Sequence, residues 1–288
     1  MKVDEEARRG SLRSPSSEIR LVVSDMDRTF LRSDGDVAPS TLKALKALEQ
    51  ANVPVCLVSS RPFQAMQRYV ALTGVGLPYA AMNGAVIVGR DSGVVLSHSL
   101  SPAVVQAVFD MFSVHDVDQW FFSEKRWFVH NAGSAYVPLE QKMTGIVPEV
   151  IRPDALPTTP IMKITGSGSN YSLLARMEVE IGSMLVTEAS VTRSAPWFLD
   201  ITHKDANKGQ AVLEIARLMN VPISSVACIG DMDNDVPMFD VAGLAVAMGN
   251  ATGEVASHAH FTSASMDADG WAEAVESFIL PRVAGTGR

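Results

Sequence analysis

The stretch Ile19-Arg20-Leu21-Val22-Val23-Ser24-Asp25-Met26-Asp27-Arg28-Thr29-Phe30-Leu31 runs a short β-branched strand directly into two carboxylates. Ligands of open α/β sheets sit beyond the carboxyl ends of the strands, which is where this order of residues puts Asp25 and Asp27. Their spacing of two lets the first attack while the second handles protons. The competing reading of the same residues is a turn with two solvated acids.

Working outward, the same alternation continues on both sides. Ser40 can cap a helix from Thr41 to about Gln50 with Leu42, Leu45 and Leu48 at helical spacing. Val53 to Val58 reads as a second apolar strand. Pro62 suits the first turn of a helix to about Leu72, and Tyr79 to Met82 reads as a third strand ending at Asn83-Gly84. In the last third, a helix from Gly209 to Met219, a strand Val226–Ile229, a helix from about Asn234 to Val241, a strand Leu244–Met248 and a helix from Gly270 to Ile279 follow. Near-continuous apolar strands alternating with helices indicate a parallel sheet covered on both faces.

Residues of about 84–194 read differently. Val86-Ile87-Val88 and Val94-Val95-Leu96 flank a Gly89–Gly93 turn as a hairpin, a helix spans about 102–113, and two aromatic strands follow at Trp120–Phe122 and Trp127–Val129. A Pro-rich connection leads to a strand Ile161–Ile164 and a helix near 171–181. The predicted fold is therefore α/β: a Rossmann-like parallel-sheet core from 18–83 and 195–281, an α+β insert over 84–194, and a flexible tail over 1–17.

A second acidic cluster, Gly230-Asp231-Met232-Asp233-Asn234-Asp235, follows the strand Val226–Ile229. Like charges this close repel, and an oxygen-only cluster at a sheet mouth suits Mg2+. The plainer alternative is a helix N-cap whose acids favour the dipole. Ser59 and Ser60 join a strand to a helix start, where a hydroxyl and backbone N–H groups can meet an anion. Lys208 opens the helix before the Asp231 strand and supplies a fixed cation that a phosphate among acids would need.

Composition excludes several classes. The chain has 288 residues with 24 basic and 32 acidic side chains, a net charge of −8, which argues against a general nucleic-acid surface. Cys56 and Cys228 each sit in an apolar run and read as core thiols in a reducing cytosol. No apolar run approaches the ~20 residues of a membrane span, and no secretory apolar core is present, so a cytoplasmic location is expected. His258 and His260, two apart, cannot share a helix face. The aromatic stretch Trp120 to Phe128 reads as the core of a hairpin, with stacking on a ring substrate as its alternative.

The ordered set Asp25-x-Asp27-x-Thr29, Ser59, Lys208 and Gly230-Asp231-x-x-Asn234-Asp235 resembles the haloacid dehalogenase superfamily of phosphohydrolases. Asn83-Gly84-Ala85, Leu199-Asp200-Ile201 before Asn207-Lys208-Gly209, and Ala247-Met248-Gly249-Asn250-Ala251 are similar to its Cof-type branch, in which an α/β cap is inserted after the third core strand. The resemblance implies a Mg2+-dependent phosphatase acting on small phosphate monoesters such as sugar phosphates through an aspartyl-phosphate. It implies Asp25 as nucleophile and Asp27 as acid and base. Asp25, the Asp27 carbonyl and Asp231 would hold Mg2+, and the Met26 N–H, Ser59, Ser60, Lys208 and Asn234 would hold the phosphoryl group. Asp235 and Thr29 would support that set, and Asn83 would lie near the substrate. Phosphoryl transfer to another hydroxyl, as in a mutase, uses the same nucleophile, and a non-catalytic ligand-binding module is the reading from a different class. The expected partner is a small phosphorylated metabolite, with no nucleic acid and no membrane, for a monomer or weak homodimer. Two positions depart from the family pattern: Arg28 stands where Gly is usual, and Ser60 where Gly is common. Arg28 either points to solvent or pairs with an acid of the core, or else it reaches the cap interface to select substrates.

Overall fold

The computed structural model describes residues 14–75, 78–115 and 117–284. In chain order the elements are β1 (Leu21–Asp25), α1 (Pro39–Gln50), β2 (Val55–Val58), α2 (Phe63–Thr73), β3 (Tyr79–Ala81), β4 (Val86–Val88) and β5 (Val94–Ser97). There follow α3 (Pro102–Ser113), β6 (Asp118–Phe122), β7 (Trp127–Val129), α4 (Val137–Thr144), β8 (Glu149–Val150), β9 (Lys163–Ser167), α5 (Tyr171–Met184), β10 (Ala189–Ala195) and β11 (Phe198–His203). The chain ends with α6 (Lys208–Met219), β12 (Val226–Gly230), α7 (Val236–Val241), β13 (Leu244–Ala247), β14 (Phe261–Thr262) and helical turns from Gly270 to Arg282.

Two sheets result. The first has the order β14-β13-β12-β1-β2-β3-β4-β5 and is parallel from β14 to β3. Every residue of β1, β2, β12 and β13 is buried, because both faces are covered. Val22, Leu57 and Ile229 pack with Ala44 and Leu48 of α1 and with Trp271, while Leu21, Val23, Cys56 and Cys228 pack with Val212 and Ile215 of α6 and Met238 of α7. Both cysteines are free. They pair with Val23 from opposite sides, which separates them by two strand spacings, roughly 10 Å and too far to bridge.

The second sheet has the order β10-β11-β9-β6-β7-β8. One face, carrying Phe121, Phe128, Ile164 and Leu199, is buried against α3 and α5. The opposite face, with Trp120, Phe122 and Trp127, joins the apolar cluster of the first sheet.

The limits expected for the insert, 84–194, are not the limits of this sheet. The hairpin β4–β5 pairs antiparallel with β3 and extends the first sheet, while β11 pairs with β9 and β10 in the second. Backbone pairing decides membership, and hairpin patterning is the same in either sheet. The chain crosses between sheets after Ser97 and returns after His203, and at the two crossings the His98 and His203 rings stack with centroids 5.1 Å apart. Of the tail expected over 1–17, residues 1–13 lie outside the described residues, and the Ser16 amide donates to the Gly243 carbonyl. Among the described residues no helix is long and apolar enough to cross a membrane.

Candidate active site

Parallel register brings the acids together. Ser24 is paired with Ile229 and Asp25 with Val58, so Asp25, Asp231 and Ser59 leave the same edge of three adjacent strands. The bend after β1 turns through Arg28 at φ +62° and closes with the Leu31 N–H donating to the Met26 carbonyl. Gly230 permits the matching bend after β12: a Cβ there would come within 2.5 Å of the Asp235 carboxyl carbon.

Lys208, 2% exposed, starts α6 and donates from Nζ to Asp25 Oδ1 and Asp235 Oδ1, both at 2.6 Å. Asp235 accepts the Asp231 and Met232 N–H groups with its other oxygen, so both its oxygens are committed to the protein. Asp231, fully buried, accepts from Thr29 Oγ1 at 3.1 Å and from Asn250 Nδ2 at 3.0 Å. One oxygen from each of Asp25, Asp231 and Asp235 lies within 4.8 Å of the others.

Three carboxylates thus cluster around one buried ammonium, which bonds two of them. Burial pushes the Asp25 carboxyl up to about 7, against the pull of Lys208 and with repulsion from Asp235. Burial and the neighbouring Asp25 and Asp235 hold Asp231 well above the ordinary carboxylate range, against Arg28 and Lys208. Burial opposes the charge on Lys208, but Asp235 and Asp25 keep it above the usual lysine range.

Asp27 stands apart, with its side chain 31% exposed and gripped by Arg61, which donates Nε to Oδ2 at 2.7 Å and Nη2 to Oδ1 at 2.6 Å. The remaining Arg61 nitrogen donates to the Met143 carbonyl on α4 of the second layer. Sequence reasoning assigned Arg61 no role; its only signal was its place after Ser59-Ser60. Ser59 is buried and its Oγ accepts the Arg61 N–H, and Met26, directly after Asp25, is buried as well. Ser60 presents its carbonyl to Lys163 Nζ of β9 at 2.8 Å.

Asn83, in the left-handed region at φ +57°, donates to Asp200 Oδ2 of β11 and accepts from Asn234 Nδ2. It therefore links the second sheet to the acidic loop. Asn234 Oδ1 is buried without a hydrogen-bond partner. Arg28 takes the first of its two expected placements: Nε lies 3.4 Å from Asp231 Oδ2 and Nη1 3.6 Å from Met232 Sδ, both on the core side. Asn250, which also bonds the Arg28 carbonyl, and Asp200 were legible only as family signatures without a function. The aromatic residues Trp120, Phe122 and Trp127 are core, at 1–2% exposure.

Glu140 of α4 lies within electrostatic reach of Lys163, Arg61 and Asp27, and burial pushes its carboxyl from 4.5 up to about 7 against Lys163 and Arg61. The folded chain therefore binds this proton more tightly than the unfolded one. The contribution is fully present below about 4.5 and lost as pH rises through 7. Glu140→Gln is expected to stabilise the chain by on the order of 1 kcal/mol at pH 8 and by nothing at pH 4. Urea unfolding at the two pH values reads this, and an equal effect at both would rule out the buried proton.

Comparison with known proteins agrees with this architecture. The family model for haloacid dehalogenase-like hydrolases matches residues 22–275. YxeH of Bacillus subtilis (strain 168) is 29% identical over 268 residues, 91% of this chain and 99% of its own. The 5-amino-6-(5-phospho-D-ribitylamino)uracil phosphatase YitU of the same organism is 23% identical over 265 residues, 90% of this chain and 97% of its own. The solved structure of the subclass IIB sugar phosphatase BT4131 superposes with a TM-score of 0.80 at 22% identity, covering 90% of this chain and 98% of that one.

Proposed function

The chain belongs to the haloacid dehalogenase-like hydrolases, and on that premise we propose that it is a phosphatase that hydrolyses small phosphate monoesters through a phosphorylated Asp25. The observation that carries this reading is the division of labour between two carboxylates two residues apart. Asp25 is buried and held by Lys208, whereas Asp27 is part-exposed and held from the side by Arg61.

In this reading Asp25 attacks phosphorus as the bond from phosphorus to the leaving oxygen breaks, and that oxygen takes a proton from Asp27, one of whose oxygens Arg61 must release for it to carry that proton. Asp27 then removes a proton from the water that hydrolyses the aspartyl-phosphate. Lys208 offsets the charge of the phosphoryl oxygens, and the Met26 N–H, Ser59, Ser60 and the second N–H of Asn234 complete their cradle. Asp235 fixes Lys208 and the loop after β12, and Thr29 orients Asp231.

Mg2+ fits the residues present. The donors are all oxygen, Asp235 is already committed to nitrogen donors, and the excess buried negative charge wants a cation. Asp25, Asp231 and the Asp27 carbonyl would hold it. When bound it would neutralise charge that develops on the phosphoryl oxygens.

The second layer is, in this proposal, a cap that closes over Asp25 and excludes water. Its closed contacts include Arg61 to Met143 and Arg193 of β10 to Asp233, at 3.0 and 2.9 Å. YitU and BT4131, a phosphatase and a sugar phosphatase by name, support small phosphorylated metabolites as substrates. A phosphate-release screen over metabolite esters, with Mg2+ and with chelator, tests the reading. Release from a subset of esters, abolished by chelator, is expected. No release from folded protein, or a phosphorylated isomer in place of free phosphate, would overturn it.

A further inference from the structure

Arg28 occupies a backbone position that suits it poorly. Its φ of +62° lies in the left-handed region, which strains an ordinary L-residue but not glycine. The conformation is imposed from outside, by the Asn250 amide on the Arg28 carbonyl at 3.0 Å and by the closure of Leu31 onto Met26. Strain of this kind persists where the surroundings over-determine it, and it clusters at functional sites. The side chain that incurs this cost lies beside the acids: Nε is 3.4 Å from Asp231 Oδ2, and the guanidinium is one-third exposed.

We propose that Arg28 is a built-in counter-charge to Asp231, weakening this chain's hold on a divalent cation and balancing the acid cluster when none is bound. The proposal rests on the metal reading given above. Lys208 serves Asp25 and Asp235, so Asp231 has no buried cation of its own. Its neutral donors, Thr29 and Asn250, orient it without cancelling its charge. Arg28 is the cation that does so, from the open side. An incoming divalent ion bound to Asp231 meets a fixed like charge on the neighbouring residue. With a glycine at position 28, three carboxylates would face Lys208 alone. Repulsion between a dication and a partly solvated guanidinium several ångströms away amounts to about a tenfold loss of affinity at moderate ionic strength.

The test is metal binding to the full chain, read by titration calorimetry with Mg2+ and with Mn2+ after chelator treatment. It compares wild type with Arg28→Lys, Arg28→Asn and Arg28→Gly. Asn and Gly both tolerate a left-handed backbone, so they remove the charge without adding strain. Arg28→Asn and Arg28→Gly are expected to bind both ions about tenfold more tightly than wild type, with the gap narrowing as salt is raised. Arg28→Lys is expected to stay close to wild type. The rise in Tm on adding Mg2+ should be larger for Arg28→Asn than for Arg28→Lys. Equal affinities for Arg28→Asn and Arg28→Lys would overturn the proposal and leave the metal site standing. If no variant binds either ion, the metal reading itself falls and this one with it.

Discussion

Asp25→Asn is expected to remove turnover, by about 10^4-fold or more, without unfolding the chain. A neutral amide oxygen is a far poorer nucleophile than a carboxylate, so the bond to phosphorus no longer forms at a useful rate. The fold should tolerate the change because the wild-type carboxylate is held at a cost. Asp25 is buried, sits near Asp235 and Asp231, and has its carboxyl pushed up to about 7. Below pH 4 both folded and unfolded chains keep the proton. Between about 4 and 7 the folded chain binds it more tightly, so wild-type stability falls with rising pH across that window. Asn carries no proton to lose, and the variant should be at least as stable as wild type at pH 8 in chelator. Steady-state phosphate release and urea unfolding check the two halves. Incubation with an activated phosphate donor and intact-mass measurement should show an added phosphoryl group on wild type and none on the variant. Wild-type turnover in the variant would end the covalent reading.

Local order made part of this site readable. β1 and β12 are apolar runs that end abruptly in acids, so the chain alone puts Asp25 and Asp231 at strand ends, and their adjacency follows once both strands belong to one parallel sheet. Lys208 was readable because it opens a strongly amphipathic helix. Partners fixed by tertiary approach were not readable. Arg61 reaches Asp27 across 34 residues, and Asn250 reaches Asp231 across 19. A lone arginine after a strand or a lone asparagine in a turn has no periodicity to report such a contact.

The same limit explains why the second sheet does not begin and end at the limits expected for the insert. Alternation predicts that Val86–Leu96 is a hairpin but not which sheet edge receives it. Pairing of Tyr79 with Val88 settles that it extends the first sheet. The helix α4, short and opened by Val137-Pro138, passed as part of a Pro-rich connection, and with it went Glu140 and the Met143 carbonyl that faces Arg61. Ser40 was expected to cap α1, yet Pro39 already begins that helix and the Ser40 hydroxyl bonds Asp269 instead. Proline at the first helical position moved the start by two residues.

Lys208→Met should be nearly as damaging to activity as the loss of Asp25, about 10^3-fold in kcat/KM, but with the opposite effect on stability. Methionine fills a similar volume and removes the charge together with the two hydrogen bonds that it donates. The ammonium lies 2.6 Å from both Asp25 Oδ1 and Asp235 Oδ1 and is almost wholly excluded from solvent. Its removal leaves two buried carboxylates facing each other, and breaking a buried pair in this way costs about 3–5 kcal/mol. The cost must depend on pH. Lys208 is what opposes the upward push of burial on Asp25, so in the variant that carboxyl rises further and its proton is held to higher pH. A group whose folded-state value is raised contributes stability below its unfolded value and loses it as pH rises. Destabilisation by Lys208→Met is therefore expected to be largest at pH 8 and small at pH 5. Adding Asp25→Asn to Lys208→Met should restore part of the loss at pH 8, because one of the two opposed carboxylates is gone. The two changes then combine non-additively, with a coupling of about 1–3 kcal/mol. Urea unfolding of the four proteins at both pH values, in chelator, measures this. A Lys208→Met effect that is the same at pH 5 and pH 8 would mean that packing, not charge, is what the lysine contributes to the fold.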